Sequence, residues 1–199
     1  MEKKRFFTTK TIAGLGILTA MVIVLQLIAN YIQFGPVSIT LALFPIAVGA
    51  MMFGPLGGLF LGLVDGALIL SAPSTMTGFF VINPAGTIIT CLTKTAIAGL
   101  VAGLVFKLLR EKHVNLGIVL ASLLVPLLNT GIFVIYTFIF FKSALDSGAA
   151  DMGVNSIYML FIIWIGWNFL LEFGLNAALA PGFFKTYTYF ESRNRQKEE

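Results

Sequence analysis

Residues 84–108 read PAGTIITCLTKTAIAGLVAGLVFKL, an apolar stretch whose only charged residue before its last turn is Lys94. A helix needs about 20 mainly apolar residues to cross the hydrocarbon core of a bilayer, where its backbone must satisfy its own hydrogen bonds. This stretch therefore predicts a transmembrane helix. Outward from it along the chain, five further apolar stretches predict spans at residues 11–30, 37–53, 56–71, 116–141 and 157–181.

The composition is typical of a chain made almost entirely of membrane spans. Of the 199 residues, 58% are hydrophobic and 11% are charged, and the mean hydropathy is +0.94. Because soluble domains carry about 25% charged residues, we expect one all-α integral membrane domain over residues 1–199. It is predicted to be a bundle of six transmembrane helices followed by a cytoplasmic tail at residues 182–199.

The second and third predicted spans are short and are joined only by Gly54-Pro55. A single re-entrant hairpin is the alternative for this segment. The proline favours a break in the helix at that point, and each half is long enough for a short crossing. We therefore predict two crossings here and six in the whole chain.

Lysine and arginine predict the orientation of the bundle. With six spans, both termini and the loop at residues 109–115 lie on one side. Of the 13 basic residues, Lys94 is inside a span and Lys142 is on the other side, which leaves 11 on this side: Lys3, Lys4, Arg5, Lys10, Lys107, Arg110, Lys112, Lys185, Arg193, Arg195 and Lys197. Cytoplasmic loops carry an excess of Lys and Arg, so both termini are predicted to be cytoplasmic. The net charge of +4 reflects this topology and gives no reason to expect a nucleic acid partner.

Three ionisable residues fall inside predicted spans: Asp65, Lys94 and Glu172. Such residues are costly in hydrocarbon and are functional candidates by default. At a rise of about 1.5 Å per residue, Asp65 and Lys94 both lie near the middle of a core about 30 Å thick. Two interpretations stay open. The two residues form an ion pair that locks two spans together, or Lys94 faces a cavity and holds an anionic substrate group.

Polar and aromatic residues at helical spacing predict a substrate site in the outer half of the bundle. The fourth span carries one polar stripe, formed by Asn83, Thr87, Thr90 and Lys94. The fifth and sixth spans carry two further faces, formed by Asn129, Phe133 and Tyr136 and by Trp164, Asn168 and Glu172. Amides, hydroxyls and aromatic rings together suit a small polar organic molecule. The alternatives are a membrane-interface anchor for Trp164 and hydrogen bonds between helices for the asparagines.

Small residues at four-residue spacing predict faces where helices approach closely in the bilayer. The third and fourth spans carry such faces at Gly58, Gly62 and Gly66 and at Gly99 and Gly103, for which we predict packing inside the bundle. The first span carries Ala13, Gly16 and Ala20. This third face either packs inside the bundle or binds another protein.

The sequence lacks the signatures of an enzyme. It contains no G-x-x-x-x-G-K-[ST] phosphate loop, so the chain does not hydrolyse ATP by that machinery. No H-E-x-x-H pair or serine–histidine arrangement occurs in the spans, and the single histidine, His113, lies in a basic loop. We therefore expect no catalytic residue, no metal site and no cofactor in this chain.

Four local motifs resemble one family of membrane proteins. They are PVSITL at residues 36–41, FGPLGG at 53–58, PAGTI at 84–88 with Lys94 and Gly99 beyond it, and PLLNTGIF at 126–133. Together with six short-looped spans in about 200 residues, they resemble the substrate-binding S component of energy-coupling factor (ECF) vitamin transporters. The resemblance covers nearly the whole chain and is greatest to the pantothenate-type subgroup.

The resemblance implies a location, a mechanism and partners. S components lie in the bacterial plasma membrane and bind a vitamin from outside with high affinity under closing outer loops. They then associate with a transmembrane coupling subunit and two ATPase subunits, which use the ATP, and tip over in the bilayer to release the vitamin inside. The family docks on the coupling subunit through a small-residue face of the first span, here Ala13, Gly16 and Ala20. Ile17 interrupts a strict Ala-x-x-x-Ala pattern in that face.

For a pantothenate ligand, Lys94 is the expected partner of the carboxylate unless Asp65 already neutralises it. The residues expected to bind substrate are Asn83, Thr87, Lys94, Asn129, Tyr136, Trp164 and Asn168. Riboflavin, thiamine or a pyridoxine-like molecule are alternative ligands within the same family. Outside the family, the alternative is an ion-coupled carrier in which the three buried charged residues form a proton relay.

Overall fold

The structure is a computed structural model that describes residues 9–30, 33–34, 37–38 and 40–195. Nearly all of these residues are helical. The helices are α1 Thr9–Ala29, α2 Leu43–Leu70, α3 Pro73–Thr77, α4 Phe79–Ile82, α5 Pro84–Leu109, α6 Val114–Phe140, α7 Lys142–Asp151, α8 Ser156–Tyr158, a π-helix Met159–Trp164, and α9 Gly166–Arg195. Two short strands, β1 Gln33–Phe34 and β2 Val37–Ser38, pair antiparallel between α1 and α2.

Four of the described helices are long and apolar enough to span a membrane: α1, α2, α5 and α6. A fifth candidate is formed by Ser156–Trp164 and Gly166–Leu179, which are bent by 43° at Ile165. The prediction of an all-helical protein with membrane-spanning segments is confirmed at this level. The count of six crossings and the side of the termini stay predictions.

The helix α2 folds back on itself at Gly54, which has a φ of 77° and a ψ of −170°. Only glycine adopts such a conformation without strain. A Cβ atom added to Gly57 would lie 3.0 Å from the carbonyl oxygen of Gly49, although residues eight apart in a straight helix are about 12 Å apart. The two arms, residues 43–53 and 55–70, therefore form a hairpin.

The first arm of this hairpin begins later than the sequence predicts. The predicted span starts at residue 37, but the helix starts at Leu43 because Val37–Ser38 forms strand β2. At about 1.5 Å per residue, the arm of residues 43–53 is about 16 Å long. The difference matters for the site, since the segment leading into this arm reaches the interior of the bundle at Thr40, which is buried.

The second arm of α2 packs against α5 through glycine. A Cβ atom on Gly58, Gly62 or Gly66 would collide with the carbonyl oxygen of Gly99, Thr95 or Cys91, respectively. The Thr95 hydroxyl donates a hydrogen bond to the Gly62 carbonyl oxygen at 2.7 Å, which joins the two helices directly. The predicted internal packing of these small-residue faces is confirmed.

The apolar core has two parts. The larger lies between α1, α2, α5 and α6, and its fully buried members include Val22, Leu43, Ile46, Leu61, Phe106 and Ile118. The smaller joins α6, α7 and the π-helix, and it includes Phe133, Leu145, Leu160 and Trp164. Buried polar residues of α5, α6 and α9 line a cavity beside Phe133 and Ile165 of the smaller part.

The connections between predicted spans at residues 72–83 and 142–156 contain helices α3, α4, α7 and the start of α8. In α7 the carboxylate of Asp146 accepts hydrogen bonds from Lys142 Nζ and from the Ser156 hydroxyl, both at 2.6 Å. These hydrogen bonds, that of Lys142 first, hold the pKa of Asp146 below its usual value. They tie the two ends of the connection together over the smaller core.

The predicted tail at residues 182–199 is not separate from the last helix. Helix α9 continues to Arg195, and the Tyr187 ring packs edge-on against Phe106 at 5.0 Å between centroids. The prediction put the start of the tail where the hydropathy falls. A fall in hydropathy marks the end of a membrane span, but the helix itself can continue beyond it.

Candidate functional site

Two small cavities meet at Lys94 in the interior of the bundle. The first, of about 30 Å³, lies between α5 and the α3–α4 connection, and its polar lining comes from Ser74, Thr75, Thr87, Thr90 and Lys94. The second, of about 20 Å³, lies between α5, α6 and α9, and its polar lining comes from Thr40, Lys94, Asn129, Thr130, Asn168 and Glu172. Lys94 and Phe133 line both. The two cavities are therefore neighbours that share Lys94 in their walls, and together they form the candidate site.

Helix α5 carries Lys94 as one member of the polar stripe that was identified in the sequence. Asn83 caps the helix, since its side-chain oxygen accepts from the Gly86 N–H at 2.9 Å, and such caps stabilise a helix start. The hydroxyls of Thr87 and Thr90 donate to the carbonyl oxygens of Asn83 and Gly86 at 2.8 and 2.7 Å. Thr87 and Thr90 line the first cavity, whereas Asn83 lines neither cavity.

Lys94 is a buried cation without a carboxylate partner in the described part of the chain. Only 6% of the residue is exposed, and its ammonium nitrogen lies 5.8 Å from the centroid of the Phe133 ring. Among residues 9–30, 33–34, 37–38 and 40–195 the one ion pair within 4.0 Å is Lys142–Asp146. The Asp65–Lys94 ion pair considered for the sequence is therefore not formed.

Asp65 lies on the second arm of α2, which packs against α5. It is fully buried, and neither carboxylate oxygen has a hydrogen-bond partner. It lines neither cavity. Asp65 therefore acts on Lys94 through its charge across the interior and not through a contact.

The second cavity carries amide groups and a carboxylate. The side-chain oxygen of Asn129 is buried and has no hydrogen-bond partner, so it is ready to accept one from a ligand. The side-chain amide of Asn168 donates to the Trp164 carbonyl oxygen at 3.4 Å. One carboxylate oxygen of Glu172 accepts from the backbone N–H of Thr40 at 2.7 Å, a contact between residues 132 apart in sequence.

An aromatic cluster covers the first cavity. The Phe79 ring of α4 makes edge-to-face contacts with Phe133, Phe141 and Trp164, with centroids 5.9, 5.1 and 5.5 Å apart. Such contacts add about 0.5–1.5 kcal/mol per pair beyond burial. Phe79 lies near the middle of the α3–α4 connection, so its ring contacts hold this connection over the first cavity.

Three residues predicted to bind substrate lie outside both cavities: Asn83, described above, Tyr136 and Trp164. The Tyr136 ring packs beside Phe140 at 5.5 Å, and its hydroxyl accepts from Thr93 at 3.4 Å. Trp164 is buried in the aromatic cluster above the site and contacts Phe79. Of the seven predicted residues, Thr87, Lys94, Asn129 and Asn168 come together around the cavities.

The sequence interpretation missed several lining residues. They are Thr40, Ser74, Thr75, Phe79, Thr130 and Phe141. Ser74, Thr75 and Phe79 belong to short helices that carry no periodic signal, whereas Thr40 and Thr130 lie within two of the motifs that carry the resemblance. Glu172 was placed on a polar face of the sixth span but was not among the residues expected to bind substrate.

The small-residue face of α1 points away from the bundle. Ala13, Gly16 and Ala20 are exposed, and a Cβ atom added to Gly16 would meet nothing within 4 Å. Gly14, by contrast, faces Phe53 of α2 so closely that a Cβ atom there would collide with its ring. The alternative in which the small-residue face packs inside the bundle is therefore excluded.

The chain was compared with known families, curated proteins and solved structures. A family model described as "ECF transporter, substrate-specific component" matches residues 10–183. Neither the comparison with curated proteins nor the comparison with solved structures gives a match. The family match covers all five candidate spans and every residue of the two cavities.

Proposed function

The chain belongs to the family of substrate-specific components of ECF transporters, and from this premise we propose that it binds a vitamin with high affinity and that the vitamin is pantothenate. As a member of this family it is a membrane transport subunit and not an ATPase. We further propose six crossings, two of them formed by the α2 hairpin. We also propose that both termini lie in the cytoplasm of a bacterial cell.

The observation that supports an anionic vitamin is the state of Lys94. It is a buried ammonium group with three donors, and no described residue accepts a hydrogen bond from it. A buried charge is costly unless it is paired. A carboxylate ligand in the cavities would supply the pair, and pantothenate carries one carboxylate.

The rest of the lining suits the other groups of pantothenate. Its amide and two hydroxyls need hydrogen-bond partners, which Asn129, Asn168 and Thr87 offer. Its two methyl groups need an apolar surface, which Phe79 and Phe133 offer in the first cavity. Drug-sized ligands occupy pockets of about 300–1,000 Å³, so binding requires the α3–α4 connection to move off the site and close again.

The direct test is titration calorimetry of the purified chain with pantothenate, with riboflavin, thiamine and pyridoxine as comparison ligands. We expect tight, saturable binding of pantothenate and no comparable binding of the other three. Tight binding of another of these vitamins would keep the family function and overturn pantothenate as the ligand. Binding of none, with uptake by the single chain in liposomes driven by an ion gradient, would replace the proposal with an ion-coupled carrier.

The exposed face of α1 is proposed to dock on the transmembrane coupling subunit, which carries two ATPase subunits. The face offers Ala13, Gly16 and Ala20, which are exposed among the described residues, and small residues allow close helix contacts in a bilayer. A partner helix of matching shape would cover it.

Replacing Gly16 with leucine tests this docking face. The added side chain meets open space in the isolated chain, so vitamin binding is expected to stay unchanged. Vitamin uptake by cells with the complete transporter is expected to fall at least 10-fold, because the leucine holds the partner helix away. Gly131→Leu is the matched control, since Gly131 is exposed on α6 and also has nothing within 4 Å. Equal uptake by the two variants would show that docking occurs elsewhere.

A further inference from the structure

The second cavity has two charged residues of opposite sign in its wall. Lys94 projects from α5 and Glu172 from α9, and both are buried, with 6% and 5% of the residue exposed. They are more than 4.0 Å apart, since they form no ion pair. Unlike charges in a low-dielectric interior attract strongly, so a cavity that keeps them apart is suited to a group that lies between them.

Each charged residue is held by contacts that keep it at the cavity wall. Lys94 lies over the Phe133 ring. Glu172 accepts from the Thr40 backbone N–H at 2.7 Å, and its carboxylate also interacts with the side chains of Thr40 and Asn129. A carboxylate has about four acceptor positions, so these contacts leave Glu172 able to accept from a ligand. The site therefore offers a donor end at Lys94 and an acceptor end at Glu172.

We propose that Glu172 is a specificity-determining residue of the substrate site and that the ligand is a small monoanion with hydroxyl or amide donors. Its anionic group binds Lys94, and one of its donor groups hydrogen-bonds the Glu172 carboxylate. This inference rests on the proposed function and narrows the substrate class for the same site. A neutral ring system or a permanent cation lacks the anionic end, and a plain fatty acid lacks the donor end.

The position of Thr40 adds a second consequence. Its N–H is bound to the same carboxylate that meets the ligand, and Thr40 leads from the β1–β2 segment into α2. A ligand donor on Glu172 therefore lies next to the junction of this segment with the bundle. One carboxylate therefore meets both the ligand and the connection that leads into α2.

The test combines two variants with two ligands. The ligands are pantothenate and a pantothenate whose hydroxyl groups are methylated, which keeps the carboxylate and removes two donors. Glu172→Gln keeps an oxygen that accepts from the Thr40 N–H but removes the negative charge. Asp65→Asn is the matched control, because it makes the same chemical change at another buried acid near Lys94 that lines neither cavity.

With the parent chain, methylation is expected to weaken binding at least 10-fold, as measured by titration calorimetry. With Glu172→Gln, pantothenate is expected to bind about 10-fold more weakly, and methylation is expected to cost less than 3-fold. Asp65→Asn is expected to keep the parent's ratio between the two ligands. A structural defect would weaken both ligands equally and leave their ratio unchanged, which is why the ratio is the decisive quantity.

Three results would overturn the inference. Glu172→Gln binds pantothenate as the parent does, it loses both ligands in equal proportion, or Asp65→Asn changes the ratio as much as Glu172→Gln does. Binding of riboflavin, thiamine or pyridoxine in place of pantothenate by the parent would also overturn it, while the family function stands. Binding of none of the four vitamins by the parent would overturn the proposed function and the inference together.

Discussion

Replacing Lys94 with glutamine is expected to weaken pantothenate binding about 100-fold. A buried, charged hydrogen-bond pair that loses one partner costs about 2–5 kcal/mol, and about 1.4 kcal/mol corresponds to a factor of ten in affinity. The loss is expected to be large here because no other described basic residue lines either cavity. Glutamine keeps a hydrogen-bond donor and a similar length, so the change removes mainly the charge.

The control for this variant is a second ligand. Pantothenol carries a hydroxymethyl group in place of the carboxylate and is otherwise the same molecule. Titration calorimetry is expected to show that Lys94→Gln changes pantothenol affinity less than 3-fold. If both ligands lost affinity equally, Lys94 would hold the fold of the site and not the carboxylate. If neither lost affinity, the anionic group would bind elsewhere.

Replacing Gly62 with leucine is expected to destabilise the bundle more than any substitution at the site. A Cβ atom there would collide with the Thr95 carbonyl oxygen and lie 2.7 Å from the Ala96 Cα atom, so backbone and not a flexible side chain blocks it. Overpacking a well-packed interior costs about 1–3 kcal/mol and occasionally more. The contact also carries the Thr95–Gly62 hydrogen bond, which a separation of the helices would break.

Thermal unfolding of the purified chain in detergent measures this effect. At about 2–4 °C per kcal/mol for a chain of this size, we expect Tm to fall by about 10 °C. Gly131→Leu on α6 is expected to leave Tm unchanged or to raise it slightly, because leucine favours helix over glycine and nothing lies within 4 Å of that position. A similar Tm for the two variants would show that α2 and α5 separate without cost.

The sequence predicted the long helices well because their signal is simple. Helices α1, α5 and α6 each contain 20 or more mainly apolar residues, and α5 begins where Asn83 and Pro84 predict a start. The start of α2 was wrong for a physical reason. Val37 and Ser38 continue the apolar pattern, but hydropathy reports burial and not backbone conformation, and these residues pair with β1.

Only part of the site could be predicted. Helical spacing shows which residues share one face of a helix, but it does not show which residues of other helices they contact. The stripe of Thr87, Thr90 and Lys94 does face one site, since the three residues lie on a regular helix. Trp164 does not join Asn168 at the cavities, because it lies in the π-helix, where hydrogen bonds run between residues five apart and the four-residue rule fails. The Thr40–Glu172 contact could not be predicted, because local sequence patterns carry no information on a pair of residues 132 apart in sequence.

The close packing of α2 against α5 makes one part of the molecule more rigid than the rest. Gly58, Gly62 and Gly66 of α2 pack closely against Gly99, Thr95 and Cys91 of α5, one helical turn apart. If one helix slid along the other by less than a full turn, a carbonyl oxygen would collide with the backbone of the other helix. These two helices are therefore expected to move together as one rigid unit, which includes Lys94 of α5. Adjustment to a ligand is therefore expected in the rest of the site wall, where the chain bends by 43° at Ile165 and α4 is held by the contacts of Phe79. In a substrate-specific component with this arrangement, substitutions in that wall are expected to change the ligand without disturbing the packing of α2 against α5.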